Sequence, residues 1–384
     1  MTAAASPAAP ARQRPSPLAR LLAMAVVPLI AVGGALIVGG IIIFLSSFAT
    51  GEPDPTLPFQ AYASLFKGAF GSLRGILFSI VSAAPLILGG LAVGLGFKAG
   101  LFNIGVRGQF LMGALGAAAV GAWVADAPPV VAIPVAFLAG ALLGAAWGFI
   151  PGALKAWTGA HEVVTTIMLN FIAGALIAYL ITGPLEAPGF SFSRTGPLGN
   201  AELPTILETV HLGVFIAFAA VPIVWWLLWK STLGFEIRTV GANPDAARYA
   251  GMRPAFITIL TMSLCGLLAG LSGAGQILGI SHFMNASYGS AVGFDSISVA
   301  LLGRAHPVGI MLAALLFGAM RAGSGLMQIE AGIPVEIIDV IQATILLFLA
   351  ADVVIRRVLG IRAPSAEPEE LQTISKTYGS GTPA

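Results

Sequence analysis

Charge is scarce in this 384-residue chain. Asp, Glu, Lys and Arg together make up 9% of it, against about 25% in ordinary soluble domains. That scarcity, with 57% hydrophobic residues, excludes a water-soluble globular fold and leaves a chain that lives in lipid. Cysteine is down to one residue, Cys265, so no intramolecular disulfide can form. The four histidines (161, 211, 282 and 306) are scattered without metal-ligand spacing. No H-E-x-x-H is present and no G-x-x-x-x-G-K-[ST], so the chain carries neither that zinc motif nor that phosphate cradle. No cofactor, metal, catalytic residue or nucleic-acid partner is expected. Work against a gradient would need an ion or another polypeptide as its energy source.

What the chain has in quantity is long apolar runs. A bilayer-crossing helix needs about 20 mostly apolar residues. Candidate spans cover 21–47, 74–97, 110–125, 129–150, 162–182, 211–229, 255–280, 294–304, 307–326 and 335–355, the eighth too short to cross alone. The expected fold is all-α: a polytopic transmembrane bundle of about ten spans, including short or broken helices. Glycine (48) and proline (25) are abundant, which suits close helix packing and helix breaks. The run 21–49 exceeds the about 7–15 residues of a signal-peptide core and reads as an anchoring span. The chain therefore divides into a disordered tail over 1–20, a transmembrane domain over 21–360 and a second disordered tail over 361–384.

Basic residues set the orientation, because short cytoplasmic loops retain Lys and Arg. With the N-terminus inside, 15 of the 19 Lys and Arg fall on the cytoplasmic side, 3 outside, and Arg321 within a span. Both termini are then cytoplasmic. Two outside connections are long, 48–73 and 183–210, the second proline-rich and either a rigid rim for a soluble partner or an ordinary connector.

Several polar islands interrupt the apolar runs. The first is the cytoplasmic loop 230–253, with Lys230, Arg238, Arg248 and Arg253. Within it Gly241-Ala-Asn243-Pro244-Asp245 reads as a turn, and Pro-Asp opens a short helix over 244–250 with small Ala246, Ala247 and Ala250. The second is Phe102–Gln109, where Asn103 and Arg107 share a face if the segment is helical. In the third, Glu162, Thr166 and Asn170 recur every four residues and form a polar stripe, read as either glue between helices or lining of a path. The fourth holds Gln276, Asn285 and Asp295; Asp295 is either a functional intramembrane acid or the N-terminal acid of a short helix. Gly-rich breaks at 97–105 and 289–295 fall in two groups of spans with opposite starting sides, the pattern of paired interruptions in transporters.

The island Gly234-Phe-Glu-Ile-Arg-Thr-Val-Gly-Ala-Asn-Pro-Asp-Ala-Ala-Arg-Tyr-Ala-Gly-Met resembles the coupling loop of ABC-importer permeases, in particular the ribose-permease-like branch that includes nucleoside and simple-sugar permeases. Gly100–Gln109, Glu162–Asn170 and Gly293–Arg304 agree with it in the same order, over about residues 75–355. Sugar permeases of the branch carry an acid in the first of these stretches; Asn103 stands there here, as in the nucleoside subgroup. The resemblance implies an import permease of about ten spans in a bacterial-type plasma membrane. It also implies a second permease subunit, identical or paralogous, two cytoplasmic ATP-hydrolysing subunits, and an extracytoplasmic substrate-binding protein or lipoprotein. Coupling would then fall on Glu236, Arg238, Gly241, Asn243, Ala246, Ala247, Tyr249 and Gly251. The path would be lined by Asn103, Arg107, Thr166, Asn170, Gln276 and Asp295. Nucleosides are the expected solute, with simple sugars as the alternative. A proton- or sodium-driven transporter using Asp295 or Glu162 is the reading of a different class, and a membrane enzyme ranks last for want of a catalytic cluster.

Overall fold

The computed structural model describes residues 17–48 and 53–351, and these are predominantly helical. In chain order the helices are α1 (Pro17–Ser47), α2 (Leu57–Phe70), α3 (Leu73–Lys98), α4 (Val106–Trp123), α5 (Pro129–Thr158) and α6 (Glu162–Ile181). After a small hairpin of β1 (Thr205–Leu207) and β2 (Val210–His211) come α7 (Leu212–Lys230), α8 (Thr232–Ala242) and α9 (Pro244–Tyr249). The chain then continues as α10 (Pro254–Gln276, prolonged by a π-turn over Ile277–Ser281), α11 (Val292–Leu302), α12 (Pro307–Ala331) and α13 (Ile337–Ala350). Among the described residues, seven helices are long and apolar enough to cross a membrane: α1, α3, α5, α6, α7, α10 and α12. The other three expected spans correspond to α4, α11 and α13. The two tails, and with them the termini whose sidedness the charge count addressed, lie outside the described residues.

Packing follows from small residues. On α5, Gly140, Gly144, Gly148 and Gly152 recur every four residues, and they lie on the backbone of α10 around Met262, Gly266 and Gly270. Without side chains between them the two backbones approach closely, which is how helices associate in lipid, where burial of apolar groups gives no preference for protein over acyl chain. At the centre, α3 is buried over nearly its whole length from Leu77 to Gly96, whereas α6 turns Val164, Met168, Phe171 and Tyr179 outward.

Two long connections differ from expectation. The segment 48–73, read as a loop, contains α2. Its polar Ser64 and Lys67 bond Glu330 at the end of α12 at 2.7 and 2.6 Å, while Phe59 and Phe66 face outward. Fourteen residues with a polar face fall short of a span, so hydropathy passed over this helix. The segment 183–210 folds back onto the bundle. Leu198, Ala201 and Leu203 are buried, the Leu203 N–H donates to the Leu278 carbonyl at 2.8 Å, and the Thr195 N–H donates to that of Met284 at 2.9 Å.

Candidate functional site

The two glycine-rich breaks meet. Helix α3 ends at Lys98, and Gly100, at φ +68°, reverses the chain. The segment from Leu101 climbs back along α3: the Leu101 N–H donates to the Gly96 carbonyl at 2.9 Å, Asn103 packs on Gly96, and Val106 packs on Gly89. Gly89 stands nine residues from Lys98, about 13 Å along a helix, close to half of a roughly 30 Å hydrocarbon core. Helix α4 therefore begins inside the membrane. Helix α11 begins at the same level, with Ser296 against Gly89 and Gly293 on the Arg107 backbone. Two helix N-termini, each carrying partial positive charge, thus converge near the midplane.

Side chains at this junction satisfy backbone that the breaks leave bare. Asn103 is not in a helix, so it does not share a helical face with Arg107; its Oδ1 accepts the Gly105 N–H at 3.0 Å and its Nδ2 donates to Gln109 Oε1 at 3.0 Å. From α6, Asn170 Oδ1 accepts the Gly108 N–H at 2.7 Å and Asn170 Nδ2 donates to the Ile104 carbonyl at 3.1 Å. Thr166 lies against Gly105 and donates to the Glu162 carbonyl at 2.7 Å, and Glu162 accepts from Lys155 Nζ at 2.6 Å. All three residues of the stripe are buried. Arg107 holds its guanidinium 5.3 Å from the Phe294 ring, and its buried Nε has no hydrogen-bond partner. Asn170→Leu would leave the Gly108 N–H unsatisfied, at about 1–3 kcal/mol. The purified variant is expected to melt several degrees lower in detergent, and an unchanged melting temperature would show that the cap is not needed.

Two path candidates remain. Asp295, in the first turn of α11, forms an ion pair with Arg321 of α12, 26 residues away in sequence. Gln276 ends α10 beside a cavity of about 10 Å³, lined also by Pro85, Leu88, His211 and Ser272, with room for about one water. Sequence reasoning passed over His211 because a single histidine at a span end carries no motif, yet both its ring nitrogens are buried without partners.

On the face that carries Lys98, Lys155 and Lys230, the expected short helix is present as α9, and α8 precedes it where a loop was expected. Ser231 caps α8 by accepting the Gly234 N–H at 3.0 Å, and Asn243 caps α9 by accepting the N–H groups of Asp245 and Ala246, each at 3.0 Å. Gly241 rests on the backbone from Lys98 to Gly100, so α8 touches the foot of the first break. Glu236 and Arg238 are half-buried on α8, and the Arg238 Nε donates to the Gly234 carbonyl at 3.3 Å. Ala247 is buried and points into the chain, whereas Asn243, Ala246, Gly251 and Tyr249 are exposed, Tyr249 by 93%.

Comparison with known proteins adds the context for these parts. The family described as the branched-chain amino acid transport system / permease component matches residues 75–350. A guanosine ABC transporter permease protein of Bacillus subtilis is 38% identical over 89% of this chain and 98% of its own length. A glucose ABC transporter permease protein of Haloferax volcanii is 36% identical over 84% of this chain and 86% of its own length. A nucleoside ABC transporter permease protein of Lactococcus lactis subsp. cremoris is 36% identical over 92% of this chain and 97% of its own length. No solved structure matches.

Proposed function

This chain belongs to the family of branched-chain amino acid transport system permease components, and on that premise we propose that it is the membrane subunit through which an ATP-driven importer passes nucleosides. The observation that carries the proposal is the α8–α9 element. It presents an exposed aromatic and several small residues on the basic face, and through Gly241 it bears on the break between α3 and α4. A separate ATPase gripping α9 would move α8, and α8 would move the foot of a break whose other end is the midplane junction. In this reading the coupling residues are Glu236, Arg238, Gly241, Asn243, Ala246, Ala247, Tyr249 and Gly251, with Ala247 seating α9 from within. The two guanosine and nucleoside permeases among the relatives support nucleosides as the solute. The glucose permease supports simple sugars as the second choice.

The partners that follow are two cytoplasmic ATPase subunits, a second permease subunit, identical or paralogous, and an extracytoplasmic binding protein or lipoprotein, in a bacterial-type plasma membrane. Asn103, Arg107, Thr166, Asn170, Gln276 and Asp295 remain proposed path residues. The first four gather at the midplane junction, where they shape the path through the backbone they hold. An ion-coupled mechanism is less well supported, since Asp295 and Glu162 are each already paired with a cation. Deleting the companion ATPase gene is expected to reduce uptake of labelled guanosine to background; uptake that continues unchanged would refute ATP coupling.

A further inference from the structure

Between the start of α11, the outer half of α12 and the start of α13 lies a cleft of about 340 Å³, lined by Gly289, Ser290, Ala291, Arg321, Ser324, Val335, Ile338 and Asp339. Arg321 stands fourteen residues into α12 from the basic face, about 21 Å, and Asp339 lies in the first turn of α13, which enters from the opposite face. The cleft therefore opens away from the basic face and reaches inward to the residue before α11. Its volume falls within the about 300–1,000 Å³ of small-molecule sites, unlike the one-water cavity beside Gln276.

The lining states its own chemistry. Charged groups at membrane depth are costly unless they face a water-filled path or each other. Arg321 and Asp295 neutralise one another in their ion pair, which leaves the exposed carboxylate of Asp339 unmatched in the cleft. A carboxylate accepts two O–H donors at once, as acidic residues do with ribose hydroxyls. The free N–H groups of Arg321 and the Ser290 hydroxyl supply donors for sugar oxygens, whereas Ser324, whose O–H is donated to the Arg321 carbonyl at 2.7 Å, presents its oxygen as an acceptor. Val335 and Ile338 form an apolar wall suited to the C–H face of a sugar ring. Among the described residues no aromatic side chain lines the cleft, which therefore lacks the stacking surface that reads a base.

We propose that this cleft is a ribosyl-binding site: Asp339 accepts the vicinal hydroxyls of the sugar, Arg321 and Ser290 donate to its oxygens, and the base is left unread. This rests on the nucleoside-permease reading and names the part of the solute that the membrane subunit recognises. It also describes a site that a free pentose and a nucleoside would share.

Cys265 is buried and is the only cysteine in the chain, so Ser324→Cys introduces a single accessible thiol, with Ser290→Cys as the second position should the first reduce membrane levels. The assembled transporter in membrane vesicles is labelled from the extracytoplasmic side with an impermeant maleimide. Saturating inosine is expected to slow labelling by about tenfold, whereas 2′,3′-dideoxyinosine and free hypoxanthine leave the rate unchanged, and adding Asp339→Asn removes the protection. Absence of protection at both positions, equal protection by the dideoxy analogue, or protection that follows sodium in place of inosine would each overturn the proposal. Uptake of labelled inosine by the unsubstituted transporter is measured in parallel. Uptake without protection overturns the cleft alone, and absence of uptake overturns the nucleoside reading with it.

Discussion

Replacing Tyr249 by alanine is expected to weaken the hold of the proposed ATPase partner by about 2 kcal/mol or more, roughly thirtyfold in affinity. The expectation follows from where the ring sits. Tyr249 ends a six-residue helix on the basic face and is 93% exposed. A large aromatic in water gains nothing for the isolated chain, but it becomes an anchor when a partner desolvates it. The rest of α9 is fixed in advance: Asn243 caps its start, the buried Ala247 seats it, and the Met252 N–H closes its end on the Ala247 carbonyl at 3.0 Å. Little ordering entropy remains to be lost on docking. The measurement is titration of the purified ATPase onto the permease in nanodiscs, comparing Tyr249→Ala with the parent. Unchanged affinity would remove α9 from the contact. Ala247→Trp, which cannot be accommodated at a fully buried position, is expected to reduce docking as well by unseating the helix. Its melting temperature should fall along with its affinity, whereas that of Tyr249→Ala should not.

Gly293→Val is expected to produce the second large effect, a loss of both stability and transport from a single added side chain. A Cβ at Gly293 would land on the Arg107 backbone, and α11 has no room to retreat because Ser296, one turn on, is already pressed against Gly89 of α3. Both obstacles are backbone or lie against backbone, so the strain cannot be relieved by a change of rotamer. Overpacking of this kind costs about 1–3 kcal/mol and sometimes more. The melting temperature should drop, and transport should fall further than stability alone predicts, since the substitution wedges apart the two helix starts at the proposed path. Gly174→Ala on α6 provides the contrast: nothing stands within 4 Å of its added Cβ, and in a helix interior alanine is favoured over glycine. Equal tolerance of both substitutions would show that the junction is not tightly packed.

Much of the fold was legible in the sequence. Apolar length alone located every long span, since an apolar helix in lipid must satisfy its backbone internally and gains from having no charge. Turn chemistry located α9, because Asn before Pro and Pro before Asp act within four residues. The stripe of Glu162, Thr166 and Asn170 was legible for the same reason: helical periodicity is a local property. Helix α8 was not. Gly234 and Gly241 lower its intrinsic helicity and its charges resemble a loop, and it is held by the Ser231 cap and by packing against α3 and α10. Helix α2 was missed because its anchor, Glu330, is more than 250 residues away.

By itself, then, the sequence determined that this is a multi-span membrane protein without the G-x-x-x-x-G-K-[ST] motif, with two broken segments and a charged element on its basic face. Those properties follow from composition and from interactions a few residues long. Only the tertiary structure decided that the two breaks are one place, that Asn170 caps the start of α4, that Asp295 finds Arg321, and that Ala247 turns inward while Tyr249 turns out. Each of these depends on which helix packs beside which. In lipid that choice rests on the fit of small surfaces and the satisfaction of stray backbone groups, and neither is written in any single stretch of chain.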